Sequence, residues 1–189
     1  MKFSFSKHEV EKADLSDEQG HVVYRIQTQN HLFSHDKTTI TKLLPSPSVL
    51  AEIEWRNIGA TVLRFSGNEV KTKEFMPSKK DGRIRLVTGP DGRLYKWRLG
   101  MDECIFGVVD ECDLTTELAS FNEPGGIFHK EDHYLQVSPR ALHMLDFIVM
   151  TFIALERTRE RANHREEAHE AVEGMERAER THEILDHDF

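Results

Sequence analysis

The residues of this chain best suited to chemistry are cationic, and they are bunched. Lys71, Lys73, Lys79, Lys80, Arg83 and Arg85 fall within fifteen positions, and Lys96 and Arg98 follow shortly after. Between Asn68 and Arg98 there are nine bases and four acids, a local charge of +5 in a chain whose net charge is −8. Clustered guanidinium and ammonium groups are what phosphate and carboxylate ligands require. Each such residue near an anionic membrane surface contributes about 1 kcal/mol, so several together hold a protein reversibly. The overall negative charge opposes this at long range, and salt screens both effects. The eight residues are therefore the candidate site, with an anionic phospholipid headgroup as the expected ligand.

Other chemistries fare worse. His129 and His133 flank acids in a short polar run that could place two imidazoles on one side of a strand, but a polar loop is the expectation. Cys104 and Cys112 have seven residues between them, whereas a zinc knuckle wants two to four. His182 and His187 lie five apart, so on a helix their imidazoles diverge, unlike the i,i+4 pair of a metalloprotease. His143 and Asp146, three apart, suit a hydrogen-bonded pair within a helix better than a catalytic dyad, since no nucleophile accompanies them. There is no Gly-rich phosphate loop and no Gly-x-Ser-x-Gly elbow. No catalytic residue, cofactor or metal is expected, and the reading is a non-enzymatic binding module.

Composition sets the frame. The 189 residues are 38% hydrophobic and 31% charged, which is globular and leaves room for a real core. A net charge of −8 argues against nucleic acid as a partner. Two cysteines do not build a disulfide scaffold. The first eight residues hold no apolar run, so a cytoplasmic protein is expected, peripheral to a membrane if the basic segment works as described.

The elements that must position the cations are mostly strands. Period-2 patterns and turn residues predict about eleven of them before Pro139, including Val70–Phe75, Ile84–Thr88 and Leu94–Leu99. The Thr88-Gly89-Pro90-Asp91-Gly92-Arg93 run is a hairpin turn. A two- or four-residue loop there puts Ile84 and Leu86 on the face of Tyr95, Trp97 and Leu99, and gathers Arg83, Arg85, Lys96 and Arg98 on the opposite one.

At Ser138-Pro139 the pattern changes to a helix over 139–160, with Ser138 as N-cap. Its stretch from Ala141 to Leu155 is apolar on nearly every side but short of the roughly 20 residues a membrane span needs. Such a helix must be buried by protein, and after many short strands that predicts a closed antiparallel barrel of about 11–12 strands around a central hydrophobic helix. The expected domain is 1–162. Residues 163–189 read as a charged helical or disordered tail: from Glu156 onward there are eleven acids and six bases. A scaffold protein that uses this tail to recruit an unknown protein partner, or to oligomerise weakly instead of remaining a monomer, is the alternative function.

The Gly89-Pro90-Asp91-Gly92-Arg93-x-Tyr95-x-Trp97-Arg98-Leu99-Gly100 run resembles an uncharacterised family of fungal proteins. So do the strands Leu50-Ala51-Glu52-Ile53-Glu54-Trp55 and Val23-Tyr24-Arg25-Ile26 and the helix from Leu145 to Glu156. That family carries a domain of unknown function in the tubby C-terminal-like group, with the LURP-one-related and scramblase proteins. Over residues 3 to 160 the resemblance implies a twelve-stranded barrel around a central helix. It implies little about activity, although tubby itself binds phosphoinositides through basic residues.

Overall fold

The computed structural model describes residues 1–30, 35–56, 59–79, 82–100, 103–109, 116–122 and 133–159. Two units are distinguished, Met1–Leu155 and Glu156–Phe189; of the second, residues 156–159 are described. The predicted tail, 163–189, lies outside the described residues.

The first unit is one antiparallel sheet. In chain order its strands are β1 (Lys2–Phe5), β2 (Asp14–Ser16), β3 (Val22–Gln29), β4 (Asp36–Lys42), β5 (Ser48–Trp55), β6 (Val62–Phe65) and β7 (Asn68–Lys71). After a helical turn, α1 (Thr72–Phe75), come β8 (Ser78–Lys79), β9 (Ile84–Thr88), β10 (Leu94–Leu99), β11 (Glu103–Val108), β12 (Glu117–Asn122) and β13 (Tyr134–Val137). They lie side by side as β7-β6-β5-β4-β3-β2-β1-β13-β12-β11-β10-β9-β8. Among the described residues β1–β13 is the one ladder that joins strands distant in sequence. The N-terminal strand thus links two meanders built from successive neighbours.

This corrects the expected closed barrel around a central helix. Among the described residues the sheet has thirteen strands and stays open, because β7 and β8 are its edges and no ladder joins them. The segment read as one strand, Val70–Phe75, is the cause. Its second half folds as α1, where Lys71 pairs with Glu74 at 3.1 Å, so the chain leaves the sheet instead of turning back along β7. The edges are short and carry Lys71 and Lys79, which disfavours pairing with another chain.

One face of the sheet is mostly apolar. Phe3, Leu15, Tyr24, Ile26, Ile40, Ile53, Leu63, Trp97, Phe106, Phe121 and Leu135 are almost wholly buried, and cross-strand register keeps them on one side, as in Phe3 opposite Leu135 and Ile26 opposite Ile40. Against this face lies α2, which in this unit covers residues 145–155 and is preceded by a 3-10 segment, Pro139–Met144. Ser138 makes no side-chain capping bond, so the predicted N-cap is not used and the true α-helix begins six residues later than its sequence signal. Every residue from Ile148 to Leu155 is buried. Phe152 sits 4.6 Å from Phe121, 5.8 Å from Trp97 and 6.0 Å from Phe5 between ring centroids. Among the described residues no helix is long and apolar enough to cross a membrane.

Two polar groups of this core satisfy each other. The Trp97 indole N–H donates to Thr151 Oγ1 at 3.0 Å, and that hydroxyl donates back to the Phe147 carbonyl at 2.8 Å. Thr151→Val keeps the shape but removes the acceptor, orphaning the indole N–H. The expected cost is about 1–3 kcal/mol, read as a lower denaturant midpoint, with Thr151→Ser closer to wild type.

Candidate anion-binding face

The turn between β9 and β10 decides where the cations point. Thr88 pairs with Leu94, so five residues, Gly89 to Arg93, form the loop. Gly89 N–H donates to the Arg93 carbonyl at 2.8 Å, and Gly92 takes φ +79°, a region that favours glycine. A Cβ on Gly89 would stand 2.4 Å from the Tyr95 ring, so only glycine fits there too. The Asp91 carboxylate closes the loop, accepting from the Arg93 N–H at 3.1 Å and the Tyr95 hydroxyl at 2.7 Å.

Five is odd, and odd reverses the expected parity. Trp97 pairs with Arg85 and Tyr95 with Val87, whereas Lys96 pairs with Leu86 and Arg98 with Ile84. The predicted grouping of Arg83, Arg85, Lys96 and Arg98 on one side is therefore broken. Arg85 belongs to the core face, half-buried, opposite Trp97 and Ser78. Its Nε is buried without a hydrogen-bond partner, and burial pushes its pKa below the usual arginine value.

The remaining candidates separate further. Lys71 and Lys73 sit on β7 and α1, at the other edge of the sheet, with Lys71 neutralised by Glu74. Arg83 lies in the turn before β9, its carbonyl accepting from the Leu99 N–H at 2.8 Å. Lys80 lies outside the described residues. Three cations do come together. Lys79 pairs with Ile84, Ile84 with Arg98 and Arg98 with Ile105, so Lys79, Lys96 and Arg98 share the outer face of β8–β10. Among the described residues none of the three is in an ion pair, unlike Arg25, Lys37 and Arg64, which are held by Asp14, Glu52 and Glu69.

Between these cations the outer face is apolar. Ile84, Leu86 and Ile105 are partly buried there, and Leu94 and Val109 stand side by side at 42% and 38% exposure. Large exposed aliphatics are few among the described residues; Leu44 and Val49 are the other two. A hollow in this face is lined by Ile84, Lys96, Arg98, Ile105, Gly107 and Glu117, among others. Leu94 was legible in advance, since the Leu94-x-Lys96-x-Arg98 alternation puts all three on one side of a strand. Val109 and Glu117 were not, because they reach the face through inter-strand register.

The histidine chemistry takes a different form from the predicted one. His133 is buried, and its Nε2 lies 3.1 Å from Nδ1 of His8. His129 and Cys112 lie outside the described residues, and Cys104 is buried. No group of three or more metal-ligating side chains exists among the described residues. His143 is exposed and does not meet Asp146. Asp146 instead accepts from Tyr24 Oη at 2.5 Å and Lys42 Nζ at 2.8 Å.

Fold and face together define an open antiparallel β protein with a helix on its apolar face and cations among exposed aliphatics on the other. Residues 8–161 match the model of a family of unknown function, DUF6593, and the chain belongs to that family. No curated protein matches the chain. No solved structure matches it.

Proposed function

We propose that this protein is a binding module for anionic membrane surfaces, docking through the outer face of β8–β11. The observation that carries this reading is the register placing Lys79, Lys96 and Arg98, none of them in an ion pair among the described residues, around the exposed pair Leu94 and Val109. Cations alone would suit any anion. Cations interleaved with exposed aliphatics suit a bilayer interface, where headgroup phosphates lie directly above acyl chains. The resemblance to the tubby C-terminal-like group, whose namesake binds phosphoinositides, supports the same direction by analogy. Lys71, Lys73 and Arg85 do not belong to this face.

Three cations at about 1 kcal/mol each amount to roughly a hundredfold in partitioning, modest enough to be reversible. Lys96→Glu/Arg98→Glu reverses two of them. In vesicle co-sedimentation the wild type is expected to follow phosphatidylglycerol-containing vesicles at low salt and less so at physiological salt. The double variant is expected to lose at least tenfold in bound fraction while melting normally. Equal sedimentation of the two proteins, or none by the wild type, refutes the reading.

A further inference from the structure

The hollow contains a charge that a purely anionic ligand would not want. Lys96 pairs with Gly107 across the β10–β11 ladder, and Gly107 pairs with Glu117 across the β11–β12 ladder. Cation, gap and carboxylate therefore stand in one row on the outer face, spanning two strand spacings of about 4.8 Å each. Glycine leaves the gap open. The register shifts at Phe106/Gly107, and a Cβ on Gly107 would lie 2.8 Å from the Thr116 carbonyl oxygen, so the bulge that shapes this row excludes a side chain there.

Glu117 is exposed and, like Lys96 and Arg98, makes no ion pair among the described residues. A carboxylate opposite two cations repels a simple phosphate and yet does not close a bridge with Lys96. One kind of ligand satisfies all three groups, a short zwitterion with phosphate at one end and an N–H-bearing cation at the other.

Resting on the docking reading above, we propose that this hollow selects aminophospholipid headgroups, those of the ethanolamine and serine classes. The phosphate meets Lys96 and Arg98, and the primary ammonium donates to the Glu117 carboxylate. A primary ammonium offers three N–H donors; the quaternary ammonium of choline offers none, so phosphatidylcholine is discriminated against. Ile84 and Ile105 form the apolar walls beneath the headgroup, and Leu94 and Val109 lie at the margin where acyl chains begin.

The test compares phosphatidylcholine vesicles doped with phosphatidylglycerol, phosphatidylserine or phosphatidylethanolamine, using wild type and Glu117→Gln. At equal surface charge the wild type is expected to bind serine-containing vesicles about threefold more tightly than glycerol-containing ones, the size of one exposed ion pair. Ethanolamine-containing vesicles are expected to bind better than phosphatidylcholine alone. Glu117→Gln is expected to lose both preferences and to bind phosphatidylglycerol at least as well as wild type. Equal wild-type binding to the serine and glycerol lipids overturns the selectivity and leaves docking intact, as does a preference that survives in Glu117→Gln. Binding to none of the charged vesicles overturns the docking reading itself.

Discussion

Phe152→Asp is expected to leave no folded protein. Phe152 is 1% exposed and its ring meets Phe5 of β1, Trp97 of β10 and Phe121 of β12, so it ties strands from both meanders to the helix. Removing a buried ring costs about 3–5 kcal/mol. Burying a carboxylate without a partner adds several more, whether as desolvation or as the work of protonating it at neutral pH. Together these reach the total stability of a typical domain, about 5–15 kcal/mol. The expected outcome is insoluble or non-cooperatively melting protein, whereas Phe152→Leu should still melt cooperatively. Phe147, only partly buried beside Phe75 and Phe106, should tolerate Asp better. A soluble Phe152→Asp variant with a sharp thermal transition would contradict the packing described.

That helix shows what the sequence can carry. Its apolar run is local, so burial on all sides could be read directly from residues 148–155. The strand alternation at Ala51, Ile53 and Trp55 could be read in the same way, and all three are buried. Closure could not. Whether the first and last members of a strand series pair depends on where the chain goes between them, and here a four-residue helical turn intervenes. Two strands escaped notice for a related reason. Asp14–Ser16 and Ser78–Lys79 are three and two residues long, too short to show a period.

The candidate site was half legible for the same physical reason. The cluster of cations is a compositional fact, and Lys79, Lys96 and Arg98 do share a face. Their separation from Arg85 turned on one residue of loop length. Side chains alternate with a period of two, so a five-residue connection in place of four moves an arginine from the outer face to the core face. Gly89 and Gly92 signalled the turn without fixing its length. Glu117 lies beyond residues 110–115, and nothing local announces that it returns opposite Gly107.

The second large effect is alkaline. Tyr24 is fully buried, and its hydroxyl donates to Asp146, which Lys42 also holds. Burial first, then the hydrogen bond and the negative charge of Asp146, raise the phenol pKa far above its ordinary value. In the unfolded chain a tyrosine ionises near pH 10. Above that pH the unfolded state binds fewer protons than the folded state, so stability falls as pH rises, by about 1.4 kcal/mol per pH unit for this one group. Tyr95, pushed up to about 12 by burial and its bond to Asp91, acts in the same sense between pH 10 and 12 and then levels off. Below pH 10 neither tyrosine makes stability depend on pH. Tyr24→Phe should therefore start less stable at pH 8, through the lost bond to Asp146, and then lose stability less steeply above pH 10. The gap between the two proteins is expected to narrow by about 1 kcal/mol between pH 10 and 11, measured by urea unfolding at each pH. Parallel decline would mean that the Tyr24 phenol ionises as readily folded as unfolded, and that the Tyr24–Asp146–Lys42 cluster does not anchor the start of the helix to β3 and β4.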